Sequence, residues 1–405
     1  MASSLNETPA AERVHIGLFG CRNAGKSSLI NALTGQDLAI VSDFKGTTTD
    51  PVSKAMEILP LGPVLITDTP GLDDEGTLGE KRVEKARFVL RSTDIALLVV
   101  DAALGLSEAD RHLLKEIKER KVPYLLIINK IDKNSAPLLP QEEKDHLLLV
   151  SARTLTGITE LKERLSQMNP HIKVQRPLLG DLLAPGDLVV LVVPIDESAP
   201  KARLILPQQQ TIREILDFHG RAIAVQPNEL PSTVKAFHDS IRLVITDSQA
   251  FSTVKDMVPE DVPLTSFSIL FARYKGELEA FIEGANKLKC LQEGDHILIS
   301  EGCTHHRQCN DIGTVKMPGW ICRFSGTTPE FFFTSGKGFP DDLSSYSLIV
   351  HCGACMLNSR EVSYRQHLAG SAGIPMTNYG IAIAYMNGIL KRVLSPFPEL
   401  VKKVK

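Results

Sequence analysis

An α/β chain of parallel strand–helix–strand units, arranged in three domains, is the fold class that this 405-residue sequence predicts. Three observations carry it. Short apolar runs alternate with amphipathic helical stretches along most of the chain. A glycine-rich turn ending in Gly-Lys-Ser follows the first of these runs directly. Six of the seven cysteines lie beyond residue 289, which marks off a chemically distinct last part.

The bulk composition is consistent with that reading. At roughly 150 residues per domain the length suggests about three domains. Apolar residues make up 43% of the chain, enough to fill several cores. A net charge of −3 and a pI near 6.4 give no electrostatic case for a nucleic-acid partner. The first 13 residues are polar and lack the apolar centre of a signal peptide. Apolar runs such as LVVLVVP, 188–194, are too short to span a bilayer. The expectation is a soluble, cytoplasmic protein with no membrane partner. An odd number of cysteines in that compartment argues against a disulfide framework, and their clustering points to metal.

In the first part, strands are predicted over 14–19, 64–67, 95–100 and 124–128, with a helix from 25 to 33. Val83, Ala86 and Leu90 share one helical face. Leu113, Leu114 and Ile117 share another, with Ser107 as the N-cap. Residues 169–187 carry three prolines and two glycines and read as a linker. A second alternation follows: strands over 188–193, 222–225 and 243–245, helices over 208–219 and 248–257. A third part is predicted from about residue 265, with a helix over 272–288 and strands over 296–300 and 347–350. The expected domains are 1–170, 171–264 and 265–405, with no internal repeat beyond the general alternation. Cys290 and Cys322 are expected in the core, and His219 and His238 at the surface or as satisfied polar groups. At Cys21 the backbone is expected to matter more than the thiol.

The stretch GCRNAGKS, 20–27, fits G-x-x-x-x-G-K-[ST] between a strand and a helix. Gly20 and Gly25 let the backbone turn its N–H groups toward phosphate oxygens. Asn23, Ala24 and Ser28 complete the loop. Lys26 neutralises the β- and γ-phosphates, and the Ser27 hydroxyl can ligate Mg²⁺. In DTPG, 68–71, Asp68 can hold Mg²⁺ through water and the Gly71 N–H can sense the γ-phosphate. In NKID, 129–132, Asn129 and Lys130 lead to Asp132, which can accept from guanine N1 and N2; adenine offers no such donors. In SAR, 151–153, Ser151 leads to the Ala152 N–H, which can reach guanine O6. GTTTD, 46–50, offers a threonine for Mg²⁺ when GTP is present. Each motif is weak alone; the ordered set at successive strand ends is specific.

Residues 14–170 therefore resemble the TrmE–Era type of translation-factor-related GTPases, through NAGKSSLINAL, GTTTDP, DTPG and NKID. The resemblance implies that Thr48 is the switch threonine on Mg²⁺, joining Lys26 and Gly71 around the reacting phosphate. It also makes Asn23 a candidate K⁺ ligand. Leu72 stands where many GTPases carry a water-orienting glutamine. Intrinsic hydrolysis is expected to be slow, with K⁺ supplying transition-state charge.

Two further limbs follow apolar strands. GCTHHRQC holds Cys303, His305, His306 and Cys309; HCGAC holds His351, Cys352 and Cys355. In parallel sheets, ligands collect beyond the strand carboxyl ends, so both limbs are expected on one sheet edge. A thioredoxin-like pair would leave Cys303 and His305 unexplained. Closed zinc sites use four N/S ligands, often in close pairs, and iron–sulfur clusters want thiolates. Spacing alone leaves zinc and iron–sulfur open.

C-T-H followed by H-C-G-A-C, downstream of such a GTPase domain, resembles the [FeFe]-hydrogenase maturation GTPases, the HydF family, over essentially the whole chain. That resemblance implies a [4Fe–4S] cluster on Cys303, Cys352 and Cys355; the residues leave the fourth position open to His305, His351 or something exchangeable. It implies a dimerising middle domain and a homodimer. It also implies a scaffold role: two radical-SAM maturases load a transient two-iron precursor, which passes to apo-[FeFe]-hydrogenase. The competing classes are a ribosome- or tRNA-acting GTPase with a zinc module, and a sensor that binds GTP without hydrolysing it.

Overall fold

The structure, a computed structural model, describes residues 8–35, 51–71, 77–133, 141–168, 176–195, 204–303, 311–336 and 338–404. Thr48, Leu72, His305, His306 and Cys309 lie outside them. The chain forms two compact units, Met1–Gln175 and Arg176–Lys405.

The first unit is built on a six-stranded sheet: β1 (Val14–Phe19), β2 (Val52–Ile58), β3 (Gly62–Asp68), β4 (Ile95–Asp101), β5 (Tyr124–Asn129) and β6 (Leu147–Leu149), in the order β2-β3-β1-β4-β5-β6. Its helices are α1 (Lys26–Thr34), α2 (Thr77–Arg91), α3 (Glu108–Glu119) and α4 (Ile158–Gln167). Central strands read as unbroken apolar runs because both of their faces are covered. In β4, Leu97 and Val99 pack on the side of α1 and α4 with Leu29, Leu33, Leu161 and Leu165. Leu98 and Val100 turn to the other side, with Ala86, Leu90, Leu113 and Ile117 of α2 and α3. Ser107 caps α3 as expected, in a reciprocal box with Asp110.

The sequence reading missed β2. It pairs antiparallel to β3, at the sheet edge, and its inward residues are mostly half-buried. Serine, lysine and glutamate are therefore tolerated there, and the apolar signal is weak.

The second unit holds two four-stranded, all-parallel sheets. The middle sheet comprises β7 (Leu188–Val192), β8 (Arg221–Val225), β9 (Ile241–Thr246) and β10 (Leu264–Ser266), with α5 (Leu206–Asp217), α6 (Leu230–Phe237), α7 (Phe251–Val254) and α8 (Phe267–Lys275). The last sheet comprises β11 (His296–Glu301), β12 (Glu330–Ser335), β13 (Leu348–His351) and β14 (Met376–Asn378), with α9 (Leu278–Ala285), α10 (Met317–Ser325), α11 (Ser359–Ser371) and α12 (Tyr379–Met386). Their orders are β10-β9-β7-β8 and β12-β11-β13-β14. Each is the same path: the first strand is flanked by the second and third, with the fourth beyond the third. The chain thus repeats one topology without a visible sequence repeat. One apolar core, from Leu178 to Phe397, runs through both sheets.

Three expectations are corrected here. Residues 178–187 are not a linker. Leu178 and Leu179 are buried in the core, and the Glu214 carboxylate accepts the N–H groups of Leu178, Leu179 and Gly180 at 2.9–3.1 Å. The helix expected over 272–288 is two helices, α8 and α9. At the break, Gly276 is extended and a Cβ there would lie 2.4 Å from Gln366 Oε1. The Gln366 amide accepts from Glu277 N–H and donates to Glu277 C=O, supplying partners that helix continuation would have supplied. Cys290 is exposed, not core: it ends a 3₁₀ turn whose buried position is Leu288. Cys322 is half-buried beside the fully buried Ile321.

The boundary expected at 264/265 falls inside β10. Among the described residues no helix is long and apolar enough to cross a membrane.

Replacing Glu214 with alanine strips three backbone donors of their shared acceptor. The expected loss is about 2–3 kcal/mol in the second unit, read by calorimetric unfolding of the full chain; an unchanged transition would refute the role given to this carboxylate.

Candidate functional site

The first candidate site grows from the end of β1. Phe19 closes the strand and the loop turns at Gly20, φ +134°, where a Cβ would sit 2.1 Å from the Val99 carbonyl. It turns again at Gly25, φ +93°, where a Cβ would meet Asn129 Nδ2 at 2.3 Å. Only glycine fits either position. Lys26 is buried, and its Nζ donates to the carbonyls of Gly20 (2.8 Å) and Cys21 (2.9 Å). The Cys21 carbonyl therefore matters as expected, but its thiol is engaged too, 3.3 Å from Ser107 Oγ and 3.5 Å from Asp110 Oδ2.

Ser27 Oγ donates to Asp68 Oδ2 at 3.0 Å. Asp68 Oδ1 is buried without a hydrogen-bond partner. Burial raises the Asp68 pKa, while the Lys26 charge and the Ser27 and Thr69 hydrogen bonds oppose the rise. An orphaned carboxylate oxygen beside a serine hydroxyl fits Mg²⁺, which would satisfy both. Gly71 follows at the end of DTPG, and the Thr69 hydroxyl pins that segment to the Leu18 carbonyl at 2.6 Å.

The NKID and SAR motifs come together at the ends of β5 and β6. Asn129 braces the loop: Nδ2 donates to the Ala24 carbonyl (3.0 Å), and Oδ1 accepts from the Ala152 N–H (3.1 Å). Ser151 Oγ donates to Asp132 Oδ1 at 2.7 Å and accepts from Thr154 N–H. Lys130, at φ +66°, donates to the Asn23 carbonyl and to Asp101 Oδ2 (2.6 Å). Asn23 itself is exposed at φ +61°, and Ser28 lies exposed on the first turn of α1.

Asp101 is a member the motif reading missed. It ends β4, and its register partner is Asn129. Burial would raise its pKa, but hydrogen bonds from Lys130 and the Ala103 N–H, with the lysine charges, hold it below the ordinary 3.8. The available signal was an acid at the end of a buried strand beside NKID.

The second candidate site lies at the carboxyl ends of β11 and β13. Ser300 and His351 are register partners, and Cys352 N–H donates to the Ser300 carbonyl. Because β11 is flanked by β12 on one side and β13 on the other, this is the switch point of the sheet. Cys303 follows β11, and Cys352 and Cys355 follow β13. Cys352 Sγ accepts from the Gly302 (3.0 Å) and Ala354 (3.4 Å) N–H groups. Ala354 takes φ +55°, which closes the C-x-x-C turn.

Burial pushes the Cys352 thiol up to about 11, against those two N–H groups. Burial likewise raises Cys355, with the Lys275 charge as the leading opposing influence and the Cys303 charge adding to the rise. Among the described residues no three His, Cys, Asp or Glu side chains stand close enough to hold a metal ion. The donor chemistry nonetheless fits a thiolate-bound group. Three sulfurs share one strand-end region, N–H groups are aimed at one of them, and enclosed neutral thiols would release protons on binding metal.

His351 is 1% exposed, with both ring nitrogens engaged. Arg365 Nη1 lies 2.9 Å from Nε2, and Nδ1 lies 2.8 Å from the Cys352 carbonyl. Arginine only donates, so Nε2 accepts and Nδ1 carries the proton. In this arrangement His351 offers no lone pair to a metal. It orients the cysteine loop instead. Burial, then the Arg365 charge, lower its pKa to about 3. Arg365 is fully buried, and also donates to Glu361 Oε1, the Gly336 carbonyl and Ser300 Oγ. Sequence reading missed it because an arginine within a polar helix carries no signal of its own.

Two outcomes follow for the phosphate loop. Gly25→Ala is expected to weaken GTP binding roughly a hundredfold, measured by nucleotide titration. Asp101→Asn is expected to weaken it roughly tenfold. The folded pKa of Asp101 is depressed, so its brace is complete above 3.8 and is lost as pH falls through the lower folded value. The Asp101→Asn defect should therefore be the same size at about pH 8 and about pH 5.5; a defect that vanishes toward the acid side would contradict the assignment.

Comparison with known proteins follows the same division of the chain. Residues 15–130 match a family described as 50S ribosome-binding GTPase. Residues 178–276 match the hydrogen maturase F dimerization domain, and residues 279–396 the hydrogen maturase F tetramerization domain. The tRNA modification GTPase MnmE of Chromobacterium violaceum is 38% identical over 159 residues, 39% of this chain and 35% of that protein. MnmE of Aquifex aeolicus is 34% identical over 155 residues, 38% and 34% of the two chains. The chain thus spans about a third of the length of the curated relatives it matches. Among solved structures, the G domain of the T. maritima FeoB iron transporter is 27% identical with a TM-score of 0.31, covering 39% of this chain and 99% of that one. Aquifex aeolicus Era bound to GDP and AlF4⁻ is 21% identical with a TM-score of 0.33, covering 56% and 99%. The two hydrogen maturase F matches meet at the Gly276 break and together take in both sheets of the second unit; with a P-loop GTPase domain before them, the chain belongs to the hydrogen maturase F (HydF) family.

Proposed function

We propose that this protein is a GTPase of [FeFe]-hydrogenase maturation, and that it carries an iron–sulfur cluster on Cys303, Cys352 and Cys355. The observation that carries the reading is that those three cysteines follow β11 and β13, the paired strands at the switch point of the last sheet, within the maturase-like part of the chain.

In the GTPase unit, the backbone turned by Gly20 and Gly25 cradles the phosphates, and Lys26 leaves its two carbonyls to neutralise them. Ser27, Thr48 and, through water, Asp68 would hold Mg²⁺. Asp132 and the Ala152 N–H select guanine. Water attacks the γ-phosphorus and the bond to the bridging oxygen breaks, giving GDP and phosphate. Gly71 N–H reports the γ-phosphate. With Leu72 in place of a water-orienting side chain, Asn23 would hold a K⁺, which would supply transition-state charge.

In the last sheet, Cys303, Cys352 and Cys355 would hold the [4Fe–4S] group as thiolates, and a shell of only three protein ligands would give the lability a scaffold needs. The two N–H groups on Cys352 Sγ and the His351–Arg365 pair hold the loop for it. The cargo is a two-iron precursor, loaded by two radical-SAM maturases and delivered to apo-[FeFe]-hydrogenase, with GTP state as the switch. The middle sheet serves a homodimer.

Anaerobically purified protein is expected to be brown, with several irons per chain. Cys303→Ala, Cys352→Ala and Cys355→Ala should each lose the native cluster signal. A colourless zinc protein, or cysteine variants with an unaltered cluster, would sink the reading in favour of a zinc-containing GTPase of another class. Lys26→Ala is expected to slow hydrolysis at least roughly a hundredfold. Equal rates in K⁺ and Na⁺ would remove the K⁺ role.

A further inference from the structure

Lys275 is the last residue of α8 and is 4% exposed. Its neighbour on the same turn, Arg273, pairs with Asp181 nearer the surface. Lys275 instead sends its ammonium into the cysteine loop. Nζ lies 2.9 Å from the Ala354 carbonyl, 3.1 Å from that of Cys355 and 2.6 Å from that of Leu357. It also lies 5.4 Å from the centre of the Phe271 ring. Three carbonyls at these distances match the three donors of an ammonium group; a neutral amine has only two.

The lysine does not serve its own helix end, where the Ala272 carbonyl is taken by Gly276 N–H. Burying a long cationic side chain carries a desolvation cost, and carbonyl dipoles offset it only in part. The bond to the Cys355 carbonyl places that charge beside the cysteine turn. The anchor also comes from the helix directly following β10, so the middle sheet and the cysteine loop are tied through one side chain.

We infer that Lys275 is a positioning residue for the cluster site: it fixes the 354–357 backbone and supplies the positive charge that balances the thiolates of the cysteine loop. This rests on the iron–sulfur reading above. A fixed cation beside a cluster stabilises its more negative, reduced state. Removing the cation moves the midpoint potential to more negative values and loosens the iron.

The test uses full-length wild type, Lys275→Gln and Lys275→Met, reconstituted anaerobically with iron and sulfide. Readouts are iron and sulfide per chain, the rate of iron loss to a chelator, the midpoint potential from an EPR-monitored titration, and unfolding of the metal-free chains. Glutamine keeps hydrogen-bond donors and removes the charge; methionine removes both. The expected result is a cluster in Lys275→Gln with a more negative potential and roughly tenfold faster iron loss, and a larger change in Lys275→Met. Wild-type potential and iron-loss rate in Lys275→Gln would overturn the inference, whether or not the methionine variant folds. A Lys275→Gln chain that fails to fold would overturn it too, by showing that the lysine only packs. If wild type itself takes up no cluster, the iron–sulfur reading falls and this inference falls with it; if wild type loads and the variants are indifferent, only the role of Lys275 falls.

Discussion

The parallel pairing of β11 with β13, with Ser300 opposite His351, is the constraint on which the cysteine site depends. It brings residues 303 and 352 to one sheet edge although 48 positions separate them. Parallel strands all point their carboxyl ends the same way, and the chain leaves β11 toward one side and returns on the other. That reversal opens a crevice which the loops must line. A one-residue slip would turn the residues following β13 to the opposite face. The register is held by the apolar faces of Ile297, Ile299, Leu348 and Val350, all buried, and by the bond from Cys352 N–H to the Ser300 carbonyl.

Two buried cations then act on the loop from different elements. Arg365, on α11, fixes the ring of His351 and thereby the carbonyl of Cys352. Lys275, on α8, holds the carbonyls that follow. Neither is chemically reactive where it stands. Together they reduce the freedom of a segment whose turn needs a positive φ at Ala354, a conformation that alanine adopts only when its surroundings impose it.

The GTPase unit solves a similar problem by close approach. Its phosphate loop lies so near β4 and the Asn129 side chain that Gly20 and Gly25 leave no room for a Cβ. Asn129 ties that loop to Ala152, so the glycine-rich loop and the SAR segment share one brace. The repeated topology of the two later sheets adds a contrast. Both have the same strand path, but the middle sheet ends its third strand in Thr246-Asp247-Ser248, whereas the last ends in His351-Cys352-Gly353. One architecture thus presents thiols in one copy and oxygen-bearing side chains in the other.

The sequence by itself determined the local chemistry. The phosphate-loop, DTPG, NKID and SAR motifs are short-range patterns tied to strand ends, and buried strands such as β4 and β5 announce themselves as unbroken apolar runs. Where burial was partial, as in β2, the pattern faded. Where a distant side chain intervened, as Gln366 does at the Gly276 break, local periodicity misled. The 169–187 stretch looked like a linker because its prolines and glycines are local, whereas the Glu214 carboxylate that gathers its N–H groups lies more than thirty residues on. Arg365 and Lys275 were invisible for the same reason, and Asp101 gave only the faint signal of an acid at a strand end. Their roles are fixed by partners far away in sequence, and such pairings exist only once the strands are in register and the helices packed. Which residue types can hold phosphate or metal was written in the chain; which backbone and charge hold them in place was decided by tertiary structure, because a buried polar group takes its meaning from its partners.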